Sequence, residues 1–435
     1  MTESVTESRV PQPALEPNLV RASDIQAAQA RISSVIAPTP LHYCSRLSEE
    51  TGAQVYLKRE DLQDVRSYKI RGAYNSIVQL DEQRREAGIV TASAGNHAQG
   101  VAYACRSLGI RGRIFVPKRT PKQKLGRITV HGRELIDVEL VGNNFDEAAA
   151  AARAYATEHG ATFVEPFDAW DTVVGQGTVA AEILAQLSAQ GKHLDSIYVP
   201  VGGGGLLGGV LSYVHDLAPH TSIIGAEPAG AASMHAALAA GKPVALPSVD
   251  PFVDGTAVGK VGALNYQIAE ANRDRLRLVS IDEGAVCTEM LNLYQNEGIV
   301  AEPAGALAVA ALRDHAPQPG EVCVCIISGG NNDVLRYNEI VERSLVHQGL
   351  KHYFLVNFPQ EPGQLRSFLS DVLGPEDDIT LFEYLKRNNR ETGAALVGIE
   401  LGRASDLSAL LQRMADSAIQ CQLLQPGTPE YEFLT

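Results

Sequence analysis

The sequence lacks the features of several protein classes. Its six cysteines include no CxxC pair and fit no zinc-ligand spacing, and a chain of this length needs no disulfide framework. No apolar run is long enough to cross a bilayer. The N-terminal stretch MTESVTESRVPQPALEPNLV contains no apolar signal region. We therefore expect a cytoplasmic protein that spans no membrane.

Charge and composition narrow the choice further. The formal net charge of -14 at pH 7 disfavours nucleic acid as a partner. Hydrophobic residues make up 45% of the chain and charged residues 20%, as in an ordinary globular protein. A length of 435 residues predicts two or three domains. Residues 1–20 are rich in Pro, Ser and Glu and predict a flexible tail.

Short apolar segments alternate with Ala-rich helical patterns over most of the chain. Helices are predicted at 96–108, 145–159 and 171–190. Strands are predicted at 53–60, 88–93, 113–117, 134–141, 161–166, 196–203, 222–228 and 322–330. This alternation is typical of parallel sheets that are covered on both faces. We therefore predict that residues 21–338 form an α/β region with two lobes.

A different pattern begins near residue 339. A predicted strand at 352–358 is followed by Pro362 and Gly363, which indicate the start of a helix of about three turns. Two strands around the turn-like NNRETG, a helix and a last strand complete the order βαββαβ. That order is typical of a small ferredoxin-like α+β domain. Residues 339–435 are predicted to form it, either as a ligand-binding domain or as a capping or dimerisation element without a ligand.

Four consecutive glycines, Gly202 to Gly205, lie between a predicted strand and a predicted helix. Glycine lets the main chain approach an anion closely, and free N–H groups at a helix N-terminus attract it. No GK[ST] follows, and no acidic residue stands where a dinucleotide site would need it. The motif therefore predicts a phosphate site, with a flexible glycine turn as the alternative.

Polar residues also stand at two other predicted strand ends. TASAGNHAQG, residues 91–100, places Ser93, the N–H groups of Ala94 to His97 and the Asn96 amide at a helix N-terminus. That arrangement suits a carboxylate, although a simple helix cap is the alternative. IISGGNND, residues 326–333, ends a buried strand with Ser328, where ligands bind in open α/β sheets. Taken alone, this third motif is better explained as a turn.

Lys69 lies among apolar neighbours at a predicted helix start in DVRSYKIRGAYNS, residues 64–76. Most lysines simply reach solvent. Burial would instead lower the pKa of the amine and suit it to imine formation with a carbonyl. A lysine, a phosphate cradle, a carboxylate nest and a strand-end hydroxyl together favour a phosphorylated aldehyde cofactor and an amino-acid substrate.

These motifs resemble those of fold-type II pyridoxal-phosphate enzymes and, among them, of the biosynthetic threonine dehydratases (threonine ammonia-lyases). The resemblance extends over nearly the whole chain from about residue 30. It rests on TPLHYCSRLS, LKREDLQDVRSYKIRGA, SAGNHAQG, VGQGT, GGGGL, EPAGA and SGGNND. It implies a two-lobed α/β catalytic region with parallel sheets, followed by an ACT-like α+β regulatory domain.

The resemblance implies roles for individual residues. Lys69 would carry the Schiff base with pyridoxal 5′-phosphate and move the Cα proton of the substrate. Asn96 would hydrogen-bond the cofactor 3′-oxygen, and Ser328 would face the ring nitrogen. The phosphate would be bound by the main-chain N–H groups of Gly202, Gly203, Gly204, Gly205 and Leu206. The substrate carboxylate would be held by Ser93, Ala94, Gly95 and His97, with Gln176 nearby.

The implied reaction is deamination of L-threonine to 2-oxobutanoate and ammonia by α,β-elimination, the first step of isoleucine biosynthesis. A serine at position 328 would leave the ring nitrogen unprotonated, which favours elimination over racemisation or transamination. No obvious carboxylic acid stands in the motifs, so the cofactor phosphate is expected to protonate the leaving hydroxyl. An L-serine dehydratase or serine racemase is the alternative. A non-catalytic amino-acid sensor is disfavoured because Lys69 and the glycines are intact.

The C-terminal region resembles the regulatory domain that isoleucine inhibits and valine reactivates in these enzymes. A single such domain must pair with another subunit, so we expect a homotetramer by analogy. Related serine racemases carry an acidic metal site shortly after the Glu-Pro of the strand at 222–228. This chain keeps Glu227 but lacks the later Asp, so no divalent metal is expected.

Overall fold

The computed structural model describes residues 19–384, 391–425 and 427–432. Its strands are β1 (Leu41–Tyr43), β2 (Gln54–Arg59), β3 (Ile89–Ala92), β4 (Gly112–Val116), β5 (Ile136–Leu140), β6 (Thr162–Phe163), β7 (Ser196–Pro200), β8 (Ser222–Pro228), β9 (Leu276–Ile281), β10 (Val322–Ile327), β11 (Lys351–Pro359), β12 (Asp378–Tyr384), β13 (Thr392–Glu400) and β14 (Gln420–Leu423). Most of the predicted tail, residues 1–18, lies outside the described residues.

The helices cover both faces of the two sheets of the α/β region, and helices also pack on both faces of the C-terminal sheet. They are α1 (Ala22–Ile32), α2 (Ser45–Thr51), α3 (Lys69–Val78), α4 (Glu82–Ala87), α5 (Asn96–Leu108), α6 (Lys122–Gly132), α7 (Phe145–His159), α8 (Trp170–Ser188), α9 (Gly205–Leu217), α10 (Ser233–Ala240), α11 (Ala263–Ala271), α12 (Glu283–Glu297), α13 (Pro303–Asp314), α14 (Tyr337–His347), α15 (Gln364–Ser367), α16 (Leu407–Asp416) and α17 (Pro429–Glu432). Among the described helices, none combines the length and the apolar character needed to cross a membrane.

Two sheets form the predicted two-lobed α/β region. The larger sheet has the order β1-β2-β10-β7-β8-β9 and is parallel except for β1. The smaller sheet has the order β5-β4-β3-β6 and is entirely parallel. We call these units the large lobe and the small lobe. The three polar motifs follow the carboxyl ends of β10, β7 and β3. In open α/β sheets, ligands bind at these ends of the strands.

The prediction of an α/β region is confirmed, and each predicted strand corresponds to an observed one. Two strands were missed. The three-residue β1 is too short for a pattern, and β9 alternates buried and exposed positions only at its end. Both are edge strands of the large sheet. An edge strand pairs with a neighbour on one side only and is often short or polar, so its apolar pattern is weak.

The C-terminal region has the predicted βαββαβ order and an antiparallel sheet, β12-β13-β11-β14. The helix predicted after Gly363 is α15, continued by a π-helical turn at Phe368–Val372. Its core includes the buried Phe354, Phe368 and Val397. The predicted boundary between residues 338 and 339 falls inside α14, which packs on the large lobe through Ile340. The boundary therefore stays a prediction.

A buried ionic network connects β2 and the residue after it, Glu60, with α3 and α8. Lys58, Glu60 and Arg71 are almost completely buried, and Glu182 is 6% exposed. Arg71 donates to both carboxylates, with distances of 2.8 Å to Glu60 and 2.6 Å to Glu182. Lys58 donates to Glu182 at 2.6 Å. Two cations and two anions balance, so removing one member leaves an uncompensated buried charge.

We expect Glu182→Ala to destabilise the protein strongly, because Lys58 and Arg71 would lose a shared carboxylate without access to water. The expected loss in the free energy of unfolding is about 3–5 kcal/mol, measured by denaturant titration with circular dichroism. Glu270→Ala is the control, because Glu270 forms an exposed ion pair with Arg273 and should lose less than about 1 kcal/mol. Equal losses in the two variants would contradict the argument.

Candidate active site

Lys69 is the first residue of α3, and its side chain is half-buried. Its Nζ donates to the main-chain oxygen of Pro166 at 3.1 Å. Desolvation lowers the pKa of this amine to about 8, against a smaller opposing effect of the Glu302 carboxylate. The amine is thus partly neutral near physiological pH, which is the state that attacks a carbonyl.

The tetraglycine turn connects β7 to α9. Gly204 adopts a left-handed conformation with φ of 91° at the N-terminus of α9. The N–H groups of the turn have no acceptor in the described part of the protein, and they belong to Gly202, Gly203, Gly204, Gly205 and Leu206. Consecutive free donors at a helix N-terminus form an anion site. The residues present therefore fit a phosphate group.

A segment that the sequence analysis did not identify connects Lys69 to the tetraglycine turn. Pro166 accepts from Lys69, and the next residue, Phe167, packs its ring against Gly203, where a Cβ would come within 2.3 Å of the ring. Asp168 then caps α11 by accepting from the N–H groups of Ala263 and Leu264. The segment EPFD, residues 165–168, comes directly after β6, and polar residues likewise follow β3 and β10. Its position after a strand could therefore have indicated a place in the site.

The predicted carboxylate nest lies at the N-terminus of α5. Ser93 Oγ accepts from the N–H of Gly95 at 3.2 Å, so Gly95 already has a partner. The N–H groups of Ala94, Asn96 and His97 have no acceptor within the described ranges. One turn further along α5, Gly100 packs against the main chain of α3 at Lys69 and Ile70. The nest therefore lies beside the lysine.

His97 and Gln176 are buried, and each retains a polar side-chain atom without a partner. The His97 Nε2 is 3.1 Å from the oxygen of Val164, and burial lowers the pKa of the ring to about 3. The ring is therefore neutral and offers an anion no charge. Gln176 Oε1 accepts from the N–H of Gly72 at 3.2 Å. In these two side chains, His97 Nδ1 and Gln176 Nε2 have no partner among the described residues.

Ser328 directly follows β10 and lies next to the start of α3. Its main-chain oxygen accepts from the N–H of Tyr68 at 3.1 Å, and Ser67 pairs with Gly329 in an isolated bridge. The Ser328 hydroxyl donates to the oxygen of Ala304 at 3.1 Å. A hydroxyl hydrogen rotates to suit its partner, so it can also be directed to a ring nitrogen.

Asn96 hydrogen-bonds a carboxylate that the sequence analysis overlooked. Its Nδ2 donates to Glu302 Oε1 at 2.6 Å, and its Oδ1 accepts from Asn331 Nδ2 at 2.7 Å. The expectation that no carboxylic acid stands in the motifs is therefore wrong, because Glu302 belongs to EPAGA and lies in the site. The EPAGA motif could have indicated Glu302, but the sequence does not show which way the side chain of Glu302 points.

Glu227, retained from the serine racemase pattern, binds the N-terminus of a helix. Its carboxylate accepts from the N–H groups of Met234 and His235 at 2.6 and 2.9 Å, at the start of α10. Negative charge is favourable at this end of a helix. Glu227 therefore has a structural role that needs no cation, and the absence of a divalent metal stays a prediction.

Two family models match the chain. The model described as "Pyridoxal-phosphate dependent enzyme" matches residues 32–329, and the model described as "C-terminal regulatory domain of Threonine dehydratase" matches residues 342–434. The chain belongs to the pyridoxal-phosphate dependent enzyme family. Pyridoxal phosphate is its cofactor, and the donors around Lys69 fit that group. The roles of the individual site residues stay predictions.

Relatives match nearly the whole chain, and solved structures match about three quarters of it. "L-threonine dehydratase biosynthetic IlvA" of Corynebacterium glutamicum is 70% identical over 96% of each chain, and that of Mycobacterium tuberculosis is 60% identical over 95% of each. The processed threonine deaminase isoform 2 of Solanum lycopersicum has a TM-score of 0.68, with 34% identity over 78% of this chain and 99% of that one. Maize serine racemase also has a TM-score of 0.68, with 30% identity over 75% and 98%.

Gly203→Ala should weaken cofactor binding, because its new Cβ would push against the Phe167 ring and deform the phosphate-binding main chain. We expect at least roughly a tenfold loss of affinity, the equivalent of about 1.4 kcal/mol, when the apoprotein is titrated with pyridoxal phosphate. Gly126→Ala in α6 is the matched control, because nothing lies within 4 Å of its Cβ position. Comparable affinities for the two variants would show that the turn does not bind the phosphate.

Proposed function

We propose that this chain deaminates L-threonine to 2-oxobutanoate and ammonia by α,β-elimination, the first step of isoleucine biosynthesis. The observation that carries the proposal is Lys69, a partly buried amine with a lowered pKa, between two groups of free main-chain donors. The names of the relatives with 60–70% identity support threonine as substrate. We also propose that residues 21–338 are the catalytic region and that it is cytoplasmic.

In this proposal each group of residues has one task. Bound pyridoxal phosphate draws electrons from the substrate and makes its Cα proton acidic. Lys69 Nζ takes that proton, which its pKa of about 8 permits once the amine is neutral. The free N–H groups of Ala94, Asn96 and His97 hold the carboxylate of the substrate. Ser328 would contact the ring nitrogen, and Gln176, which accepts from the N–H of Gly72 in α3, would lie near the substrate.

The tetraglycine turn holds the phosphate end of the cofactor in the same proposal. Five free N–H groups and the positive end of α9 supply charge complementarity without a cationic side chain. Burial and the nearby Lys69 amine both lower the pKa of the His97 ring and keep it neutral. Orientation of the substrate, rather than a fixed cation, is thus the main contribution of α5.

A serine dehydratase or serine racemase is the second candidate. The similarity to maize serine racemase favours it, since it extends over 75% of this chain. The regulatory family model at residues 342–434 favours threonine instead, because that model is described for threonine dehydratase. A non-catalytic sensor has less support, since Lys69 and all its neighbouring donors are present.

Assays of 2-oxo acid formation should show turnover of L-threonine with a higher kcat/KM than L-serine. Lys69→Ala should lose at least roughly a thousandfold of this activity, as expected when a catalytic proton-transfer group is removed, and should lose the visible absorption of the bound cofactor. Lys192→Ala is the control, because Lys192 contacts Gln54 away from the site. Turnover of serine but not of threonine would favour the second candidate.

The pH dependence of cofactor capture follows from the same lysine. Its pKa of about 8 means that the amine is protonated below pH 8 and neutral above it. We expect the rate at which the apoprotein captures pyridoxal phosphate to rise through pH 8, and a stopped-flow absorbance series measures it. A rate that is flat between pH 6.5 and 9 would contradict a role for the neutral amine.

We propose further that isoleucine inhibits the enzyme through residues 339–435, that valine reverses the effect, and that the subunits form a homotetramer. The described part of this domain contains a pocket of about 350 Å³ between α16 and β14. Its apolar walls include Phe354, Leu411, Met414 and Ile419, which suit a branched aliphatic side chain. Open sheet edges at β12 and β14 are available for pairing with another subunit.

Ala415→Trp should fill this pocket, since Ala415 is an exposed residue of its wall on α16. We expect the isoleucine concentration for half-inhibition to rise at least roughly tenfold, while threonine turnover without isoleucine stays unchanged. Ser408→Trp adds the same ring to an exposed position of α16 outside the pocket and should leave inhibition intact. Unaltered inhibition in Ala415→Trp would place the effector elsewhere.

A further inference from the structure

Glu302 stands at an unusual place for a glutamate. It precedes Pro303 as the N-cap residue of α13, yet its side chain makes no capping hydrogen bond. Ser, Thr, Asp and Asn are the residues that normally cap a helix. The side chain is only 5% exposed and makes no ion pair with any described residue. A buried carboxyl without these local roles is expected to have another partner.

That partner is the Asn96 side chain. Asn96 Nδ2 donates to Glu302 Oε1 at 2.6 Å, while Asn331 Nδ2 donates to Asn96 Oδ1 at 2.7 Å. Asn331 is itself fixed, because its Nδ2 also donates to the oxygen of Val65 at 2.8 Å. A flipped Asn96 amide would face oxygen to oxygen at Glu302 and nitrogen to nitrogen at Asn331. The amide is therefore locked in one orientation.

The space around Glu302 is shaped for its carboxylate. A Cβ at Gly329 would come within 2.2 Å of Glu302 Oε1, so only glycine leaves room there. The main-chain N–H of Glu302 in turn donates to the oxygen of Gly329 at 3.1 Å. The strand end that carries Ser328 and the helix start that carries Glu302 thus fit each other at this point.

Several charged or titratable groups face this carboxyl. They are Lys69 and Tyr68 of the α3 start, Asp254 of the loop after α10, and Lys124 of α6. Burial first, and then Asp254, raises the pKa of Glu302 to about 7, although Asn96, Asn331 and Lys124 oppose this. The carboxyl changes its charge near neutral pH, and a charged carboxylate accepts a stronger hydrogen bond than a neutral one.

We propose that Glu302 is a positioning residue that holds the Asn96 amide toward the cofactor and thereby strengthens cofactor binding. This inference rests on the proposed role of Asn96 in the site. One N–H of the Asn96 amide is bound to Glu302, and its oxygen is bound to Asn331, so the second N–H is the group left for a ligand. Glu302 acts through Asn96 and needs no contact with the cofactor.

The experiment titrates full-length apoprotein with pyridoxal phosphate, followed by absorbance. Glu302→Ala should lower the affinity roughly tenfold, the typical effect of losing a hydrogen bond to a charged group. Glu302→Gln keeps an oxygen that accepts from Asn96 and should restore most of the affinity. In an Asn96→Ala background, Glu302→Ala should have no further effect, because the two residues act as one unit.

Two measurements separate this role from a general loss of structure. The thermal unfolding midpoint of each apoprotein reports folding, and Glu302→Gln remains informative if Glu302→Ala fails to fold. Between pH 6 and 8 the ratio of wild-type to Glu302→Gln affinity should rise as Glu302 becomes charged. A constant ratio, or an effect of Glu302→Ala that persists in the Asn96→Ala background, would overturn the proposal.

Failure of the positioning role of Glu302 and failure of the proposed deamination would give different results. Wild-type protein that binds pyridoxal phosphate but does not deaminate threonine would refute the function while leaving this test intact. Wild-type protein that deaminates threonine, with a Glu302→Ala variant of equal cofactor affinity, would refute the positioning role alone.

Discussion

The site depends on main-chain pairing between two segments that are far apart in the sequence. The N–H of Tyr68 donates to the oxygen of Ser328, and the N–H of Gly330 donates to the oxygen of Arg66. This antiparallel contact fixes the start of α3 at the carboxyl end of β10. Lys69 is the next residue, so its position relative to Ser328 is set by backbone hydrogen bonds and not by side-chain packing alone.

The buried ionic network supports the same helix through Arg71 in its first turn. Arg71 lies two residues after Lys69 and makes hydrogen bonds to Glu60 and Glu182, which belong to different elements. Such networks add little net stability relative to apolar packing, since desolvation opposes the charge attraction. Their directional bonds do restrict rotation of α3 about its axis. We therefore attribute to this network the direction in which the Lys69 side chain leaves the helix.

The free N–H groups of the tetraglycine turn and of the α5 start, and the βαββαβ order, were predictable because their signals are local. A run of glycines between a strand and a helix leaves N–H groups free whatever surrounds it, as Gly202 to Leu206 show. Side-chain direction is not local. The family resemblance assigns His97 and Gln176 to the substrate, but it does not predict that their side chains contact main-chain groups of other segments, at Val164 and Gly72.

The segment EPFD shows why the remainder could not be predicted. Pro166 contributes only a carbonyl oxygen, which every residue has, and Phe167 contributes a ring whose partner is a glycine in another lobe. No residue type in the segment indicates its role until the large and small lobes are brought together. Glu302 is a similar case, since its role depends on a hydrogen bond with Asn96, which lies 206 positions away in the sequence.

Contacts of α6 connect the relative position of the lobes to the chemistry of the site. Lys124 pairs with Asp254 at 2.7 Å, and Arg127 donates to Asn331 at 3.2 Å, and both contacts join α6 to segments of the large lobe. Asp254 raises the pKa of Glu302, whereas Lys124 lowers it. A separation of the lobes that removed Lys124 would therefore favour the protonated carboxyl and weaken its bond to Asn96. Contact between the lobes and a firm hold on Asn96 are thus expected to occur together, because Lys124 contributes to both.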